Sequence, residues 1–258
     1  GQVYFGTEPY DRRYTSMRFP FEHSLPSVLV RVDRATGECV LQKRVDAEGA
    51  VVYELILNGK LLMDSREHTS EEALAEIGLR ECGDHRALEV LVGGFGFGFT
   101  LQAVLRDPRV VRAVVVELEP MLLSFFARQD VRAELPVPDL ADPRVAVREG
   151  NVREWIAAAP AGAYDLILLD VDNGPESLSA VGTLDLYSEA GLRQCWAALR
   201  PGGVLAIWSS EPAPGCLSRL AACFEGVREW VVPVQRERRR IDYRILRGRR
   251  ASHGSSTR

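Results

Sequence analysis

From residue 87 onward, short and nearly continuous apolar runs alternate with amphipathic stretches. The runs are ALEVLVGG, AVVVELE, RVAVREG, YDLILLD and GVLAIWSS, and the stretches between them open near Thr100, Pro120, Val152, Glu189 and Pro214. Apolar strands spaced by helices predict a parallel sheet covered on both faces. VREWVVPV and IDYRILRG then follow with only a short connection, which predicts an antiparallel hairpin closing that sheet. Upstream, SVLVRVD, ECVLQKRV and VVYELILNGKLLM are β-rich runs, separated by turn signals at Ala35-Thr36-Gly37 and Ala47-Glu48-Gly49. They predict a small antiparallel sheet. Thr69 or Ser70 followed by Glu72 reads as a helix N-cap with acids in the first turn, opening a helix to about Arg80. The expected organisation is therefore an arm over 1–26, a small β domain over 27–68, a linking helix over 69–84, a doubly wound Rossmann-like α/β domain over 85–250 and a disordered polar tail over 251–258.

Composition adds boundaries to this picture. Hydrophobic residues make up 46% and charged residues 26%, as in a globular chain. The longest apolar runs, over 155–159 and 204–208, fall far short of the roughly 20 residues that span a bilayer, so no membrane segment is expected. No basic-then-apolar leader opens the chain, although it begins with Gly rather than Met. The five cysteines are scattered and include no C-x-x-C, which argues against a disulfide framework or a structural zinc and for a cytoplasmic protein. No His, Cys or acid spacing suggests a catalytic metal. The net charge of −4 argues against a nucleic-acid partner. Eight arginines over 236–250 run against that balance, but the chain has only two lysines, so arginine is its default cation. A solvated hairpin surface is favoured over an anion-binding patch.

The candidate chemistry lies at the ends of the predicted parallel strands. Gly93-Gly94-Phe95-Gly96-Phe97-Gly98 leaves the first strand and enters a helix, where glycines let backbone approach a ligand and the helix start offers free N–H groups. Glu117 ends the second strand, about 20 residues further on, where an acid accepts hydrogen bonds from a ribose. The third glycine of a dinucleotide fingerprint falls at Phe99, which counts against NAD and an oxidoreductase. Asn151 stands at the tip of the third strand, and Asp170 and Asp172 at the tip of the fourth. Two positions apart on extended chain, these acids share one face. Asp165, at the start of that strand, is expected on the surface. Glu71 and Glu72 read either as acceptor-site acids or as helix-dipole partners. Phe97, Phe99 and Trp208 read as an aromatic wall for the acceptor or as packing, with packing favoured for Phe99.

Together, LILNGKLLM, the glycine loop, VVELEP, REGNV, YDLILLDVDNGP, Leu186-Tyr187 and LRPGGVLAIW resemble, in order and over roughly three quarters of the chain, the spermidine-synthase-like (polyamine aminopropyltransferase-like) branch of the class I methyltransferase fold. The resemblance implies S-adenosylmethionine or its decarboxylated form as cofactor. Gly94, Gly96, Phe97 and Gly98 would line it, Glu117 would hold the ribose, Asn151 would meet the adenine, and Asp170 would be the catalytic carboxylate with Asp172 beside it. Tyr187 would border the acceptor, and a homodimer through the N-terminal region is implied; Trp208, Glu71 and Glu72 join the acceptor-side candidates by their own positions and chemistry. The chain also departs from the family. Phe97 replaces the loop Asp that grips an aminopropyl ammonium, leaving at most a cation–π contact. Ser70-Glu71-Glu72 replaces Tyr-His-Glu, and Asn173 replaces the second Asp of D-x-x-D. The expected function is alkyl transfer from a sulfonium donor to a small-molecule amine. Phe97 tips this towards methyl transfer, with aminopropyl transfer to a polyamine as the alternative. A non-catalytic nucleoside-binding protein is the reading from another class.

Overall fold

The computed structural model describes residues 3–4, 26–34, 37–46, 48–135, 137–171, 175, 186–236 and 239–252. The chain divides into two compact units, Gly1–His68 and Thr69–Arg258. The first is an antiparallel sheet of β1 (Val3–Tyr4), β2 (Ser27–Arg34), β3 (Gly37–Val45), β4 (Val51–Leu57) and β5 (Lys60–Asp64), paired in sequence order. Val30, Leu41, Tyr53 and Leu55 form its core. VVYELILNGKLLM reads as one run but folds as two strands. Asn58 and Gly59 take φ of 51° and 73°, the left-handed pair that a two-residue hairpin requires. Val3 and Tyr4, from the segment read as an arm, pair with Val32 and Arg31.

The second unit opens with α1 (Thr69–Glu81). It continues through β6 (Leu88–Gly93), α2 (Phe99–Leu105), β7 (Val110–Glu117), α3 (Pro120–Phe126), α4 (Gln129–Glu134), β8 (Val145–Glu149), α5 (Val152–Ala158), β9 (Tyr164–Leu169), α6 (Glu189–Ala198), β10 (Leu199–Ser209), α7 (Pro214–Cys223), β11 (Glu225–Arg236) and β12 (Arg239–Arg249). The seven strands lie in the order β11-β12-β10-β9-β6-β7-β8. β8 through β10 are parallel, and the β11–β12 hairpin closes the sheet antiparallel against β10. The chain steps outward from β6 to β7 and β8, then returns to the other side of β6 as β9. The carboxyl ends around β6 are thus the switch point at which such sheets bind ligands.

Alternate side chains go to opposite faces of a strand. Leu91, Ile167, Leu169, Leu205 and Ile207 join the core under α5, α6 and α7 with Val152, Leu192, Cys195 and Leu220. The residues of opposite parity, among them Val90, Val92, Leu166, Leu168 and Ala206, are equally buried. Towards them comes α1 at Gly78, where a Cβ would sit 2.8 Å from Leu168 Cδ2. Glycine there leaves room for the Leu166 and Leu168 side chains between helix and sheet.

Two charge expectations change here. Asp165 is not a surface residue: it is 8% exposed, accepts the Glu89 N–H at 2.8 Å and pairs with Arg200. Of the five closing-hairpin arginines whose side chains the structure describes, Arg240 is solvated as expected and the other four are at least partly buried. Arg240 binds Asp242 at 2.8 Å, Arg244 faces Glu229 at 3.5 Å, and Arg247 and Arg249 share Glu81. Arg250 lies 3.8 Å over the Trp196 ring. Short α4 was not read from the sequence. Among the described residues, no helix is long and apolar enough to cross a membrane.

Candidate active site

Backbone hydrogen bonds lace the strand tips around the glycine loop. Asp170 N–H donates to Gly93 O at 2.8 Å, Gly94 N–H to Val116 O at 2.9 Å and Gly150 N–H to Glu117 O at 2.9 Å. Gly94 has a φ of 89°, and a Cβ there would stand 2.1 Å from the Asp170 carbonyl oxygen. The loop therefore rests directly on the end of β9, which only glycine permits. Gly98, with φ of 82°, turns the chain into α2, and its Cβ would meet the Pro138 ring at 2.6 Å. Gly96 takes φ of 53° between them.

Two carboxylates flank this loop. Glu117 ends β7 and is 7% exposed. Its Oε2 accepts the Phe95 N–H at 2.7 Å and its Oε1 the Glu119 N–H at 2.8 Å. Burial pushes its pKa above the ordinary carboxylate range, against the pull of backbone N–H groups from Phe95, Glu119, Gly96 and Leu118. Asp170 follows β9 and is half-buried. Its pKa is pushed up to about 6, first by burial, against the Thr100 hydrogen bond and with the Glu117 charge adding to the rise. That hydrogen bond runs from the Thr100 hydroxyl to Oδ2 at 2.6 Å. Neither acid forms an ion pair with an arginine or lysine among the described residues.

Parity puts Asp170 on the α1 side of the sheet with Leu166 and Leu168. The register sets Leu169 opposite Ile207, so Trp208 stands beside Asp170 on the same side. Trp208 stacks on Tyr243 with ring centroids 5.1 Å apart. Its buried indole N–H has no hydrogen-bond partner among the described residues. From the first turn of α1, Glu71 is 9% exposed and accepts the Ser70 hydroxyl at 2.6 Å. Its backbone carbonyl lies 3.4 Å from Thr100 Oγ1. Thr100 therefore ties Asp170 to the start of α1, and strand register puts Trp208 on the same side of the sheet.

The remaining sequence candidates fall elsewhere. Glu72 binds Arg106 at 2.9 Å and ties α1 to α2. Phe97 is 1% exposed and edge-on to Phe126 at 5.2 Å, with Phe99 at 6.2 Å. It packs in an aromatic cluster and offers no open face for a cation–π contact. Tyr187 is buried with Leu186, Leu192 and Cys195 in the core under α6 and α7, and its carbonyl accepts Arg219 Nε at 2.7 Å. The structure does not bring its ring to the Asp170 side of the sheet. Asn151 Oδ1 accepts the Arg153 N–H at 2.9 Å and caps α5 at the tip of β8. Asp172 and Asn173 lie outside the described residues. Burial pushes the Cys82 and Cys195 thiols up to about 12, which removes them as nucleophiles. Among the described residues, no group of His, Cys, Asp and Glu is assembled to hold a metal.

Two residues near the site were missed. Thr100 gave no signal, because its partner is 70 residues away. Leu118 is 61% exposed directly after Glu117, and an apolar residue following the ribose-type acid was the available clue.

No protein-family model matches the chain. It is 30% identical over 159 residues to polyamine aminopropyltransferase 2 of Ralstonia nicotianae, covering 61% of this chain and 30% of that protein. It is 28% identical over 178 residues to putrescine N-methyltransferase 3 of Nicotiana tabacum, covering 64% and 43%. The chain thus spans less than half the length of either relative. The crystal structure of spermidine synthase from Thermotoga maritima superposes with a TM-score of 0.70 at 19% identity, covering 88% of this chain and 74% of that one. With its seven-stranded sheet, its closing hairpin and the small antiparallel sheet before them, the chain has the class I methyltransferase-like fold that the spermidine synthase structure shares.

Proposed function

We propose that the chain is a transferase that moves an alkyl group from a sulfonium nucleoside of the S-adenosylmethionine type to an amine nitrogen of a polyamine or diamine. Aminopropyl transfer from the decarboxylated nucleoside is the leading reaction. The observation that carries this reading is the pair of carboxylates, Glu117 and Asp170, on either side of Gly94. Burial raises both and no cation of the described chain pairs with either. Such a pair suits ligands that bring their own positive charge, as a sulfonium and an ammonium do.

The residues present fit the cofactor. Both Glu117 oxygens keep a lone pair beyond their backbone partners and would accept the two ribose hydroxyls. Exposed Leu118 would lie against the base, with Asn151 near its edge, and the glycine turns at 94, 96 and 98 would keep side chains out of the way. When bound, the cofactor supplies a carbon already activated towards a nitrogen nucleophile. What the protein adds is alignment, exclusion of water and management of one proton. Asp170, ionised above about pH 6, would hold the acceptor ammonium and take up the proton that its nitrogen releases as the new N–C bond forms. Glu71 and Trp208 would border the acceptor. Asp172, two positions on in the sequence, would add a second acid.

Phe97 was the reason to favour methyl transfer. Its ring is turned into the Phe99–Phe126 cluster, so it neither replaces the missing acid's grip on an aminopropyl ammonium nor walls that group off. The likeness to a polyamine aminopropyltransferase then weighs more. Methyl transfer remains the second reading, because Phe97 still stands where the family has an acid and because a putrescine N-methyltransferase is among the relatives. The two reactions share the amine acceptor.

The test is calorimetric titration of the full chain with S-adenosylmethionine and with its decarboxylated form, followed by product identification with putrescine. Tighter binding of the decarboxylated form and an aminopropylated product are expected. Preference for the intact cofactor with a methylated amine would replace the leading reaction by the second. Binding of one nucleoside without turnover of any amine would favour a nucleoside-binding protein, and binding of neither would end the cofactor assignment.

A further inference from the structure

The Thr100 hydroxyl is 2% exposed as part of its residue and has two acceptors within reach: Asp170 Oδ2 at 2.6 Å and the Glu71 carbonyl oxygen at 3.4 Å. A hydroxyl has one hydrogen to give and two lone pairs to receive with. The shorter contact is the charge-assisted one, in the range of an O–H donating to a carboxylate. Oδ1 of Asp170 has no hydrogen-bond partner among the described residues. Thr100 is therefore the single side chain of the described structure that fixes the rotation of this carboxylate, and it does so from the first turn of α2, immediately after the glycine loop.

We propose that Thr100 is the positioning residue of Asp170, its hydroxyl donating to one oxygen of the ionised carboxylate so that the other is presented to the acceptor. As a carboxylate, Asp170 accepts the Thr100 hydrogen at Oδ2. Thr100 thereby favours the charged form of a half-buried acid, against the rise that burial imposes. The charged group acting on Asp170 in the described structure is the Glu117 carboxylate from β7; the Glu71 carboxylate of α1 is bonded to Ser70. The assignment of Asp170 as the acceptor's proton partner rests on the function proposed above, but the pairing itself does not.

The experiment is a carboxyl carbon-13 NMR titration of Asp170 in the ligand-free full chain, for the parent, Thr100→Val, Thr100→Ala and Thr100→Ser, beside steady-state kinetics with the preferred donor. Valine keeps the shape and removes the hydroxyl. The Asp170 midpoint should rise by about one pH unit in the Val and Ala variants, as expected on losing one hydrogen bond to the charged form, and return to the parent value in Ser. Kinetically, kcat should fall about tenfold in Val with the KM for the nucleoside unchanged, and its acidic limb should move with the NMR midpoint. A folded Val or Ala variant whose Asp170 titrates as in the parent overturns the proposal. If the parent turns over no amine yet the midpoints move as expected, the pairing stands and the functional reading falls.

Discussion

The two ends of the parallel sheet both carry acids and treat the buried ones in opposite ways. At the amino ends, three acids are each answered by an arginine. Asp107 binds Arg109 before β7, Asp142 binds Arg144 before β8, and Asp165 binds Arg200 at the start of β9. Asp107 and Asp142 accept from both the side chain and the backbone N–H of the arginine two positions on, which holds their carboxyls below the ordinary range, Asp142 down to about 2. At the carboxyl ends, Glu117 and Asp170 meet only uncharged donors, and burial holds them above the ordinary range. Folding alone would favour the first arrangement everywhere, since a desolvated acid without a counter-charge is destabilising. The contrast teaches where this molecule gives up stability, and such sites are expected to be functional.

Removing the charge at Asp170 tests this most strongly. Asp170→Asn should lower turnover by at least about 100-fold if the acid manages the amine proton, while raising stability. The sign follows from the pKa: a folded-state value of about 6 against an ordinary 3.8 means that the folded chain prefers the protonated form. The stability cost of ionisation therefore appears as pH rises from about 4 through 6 and is fully present at 7.5. There the variant should gain about 1–2 kcal/mol, after allowance for partial exposure. Below pH 4 the gain should vanish. Denaturant melts at pH 7.5 and pH 4 decide it, and a variant that loses stability at both would remove the contrast between the two ends.

How much of this was legible depended on whether the determining partner was near in sequence. The strand runs and the helix starts at Pro120, Val152, Glu189 and Pro214 were readable, because periodicity, proline at a first turn and capping side chains are local. So were the glycine loop and the acids at its flanks, since the fold puts strand tips together whatever their distance along the chain. Asp165 was misread because its partner Arg200 lies 35 residues on. Thr100 was invisible for the same reason. Tyr187 followed its family motif in order, yet its ring is held among Leu192 and Cys195 in the α6–α7 core, which no motif order reveals. The Asn58-Gly59 turn was local and should have been seen inside its apolar run.

The amino end offers the matching test at a buried acid. Arg200→Met removes the counter-charge of Asp165 and leaves the acid, 12% exposed at its side chain, with the Glu89 N–H. A loss of about 1–3 kcal/mol is expected, the cost of under-satisfying a largely buried polar group. Nucleoside affinity should stay at the parent value, because the site lies at the other end of β9. Equal loss of stability and of cofactor binding would mean that the two ends are coupled and that the division drawn here is too sharp.

The smallest effect should come from Arg144→Gln. Arg144 and Asp142 keep side-chain exposures of 31% and 21%, so solvent screens the pair, and the melting temperature at neutral pH should move by about one degree or less. The informative readout is the acid itself. Loss of the arginine removes the largest cause of the low Asp142 pKa, its side-chain hydrogen bond, while the backbone N–H of residue 144 remains. The Asp142 midpoint should therefore climb from about 2 part of the way back towards the ordinary carboxylate range. The stability this pair contributes is present above that range and lost as pH falls through it, opposite in sign to Asp170. Parent and variant melts should accordingly converge as the pH is taken towards 2, whereas parent and Asp170→Asn converge already by pH 4. Two acids on one sheet with opposite pH slopes would establish that the difference between its ends is electrostatic, and a common slope would reduce it to a difference in burial alone.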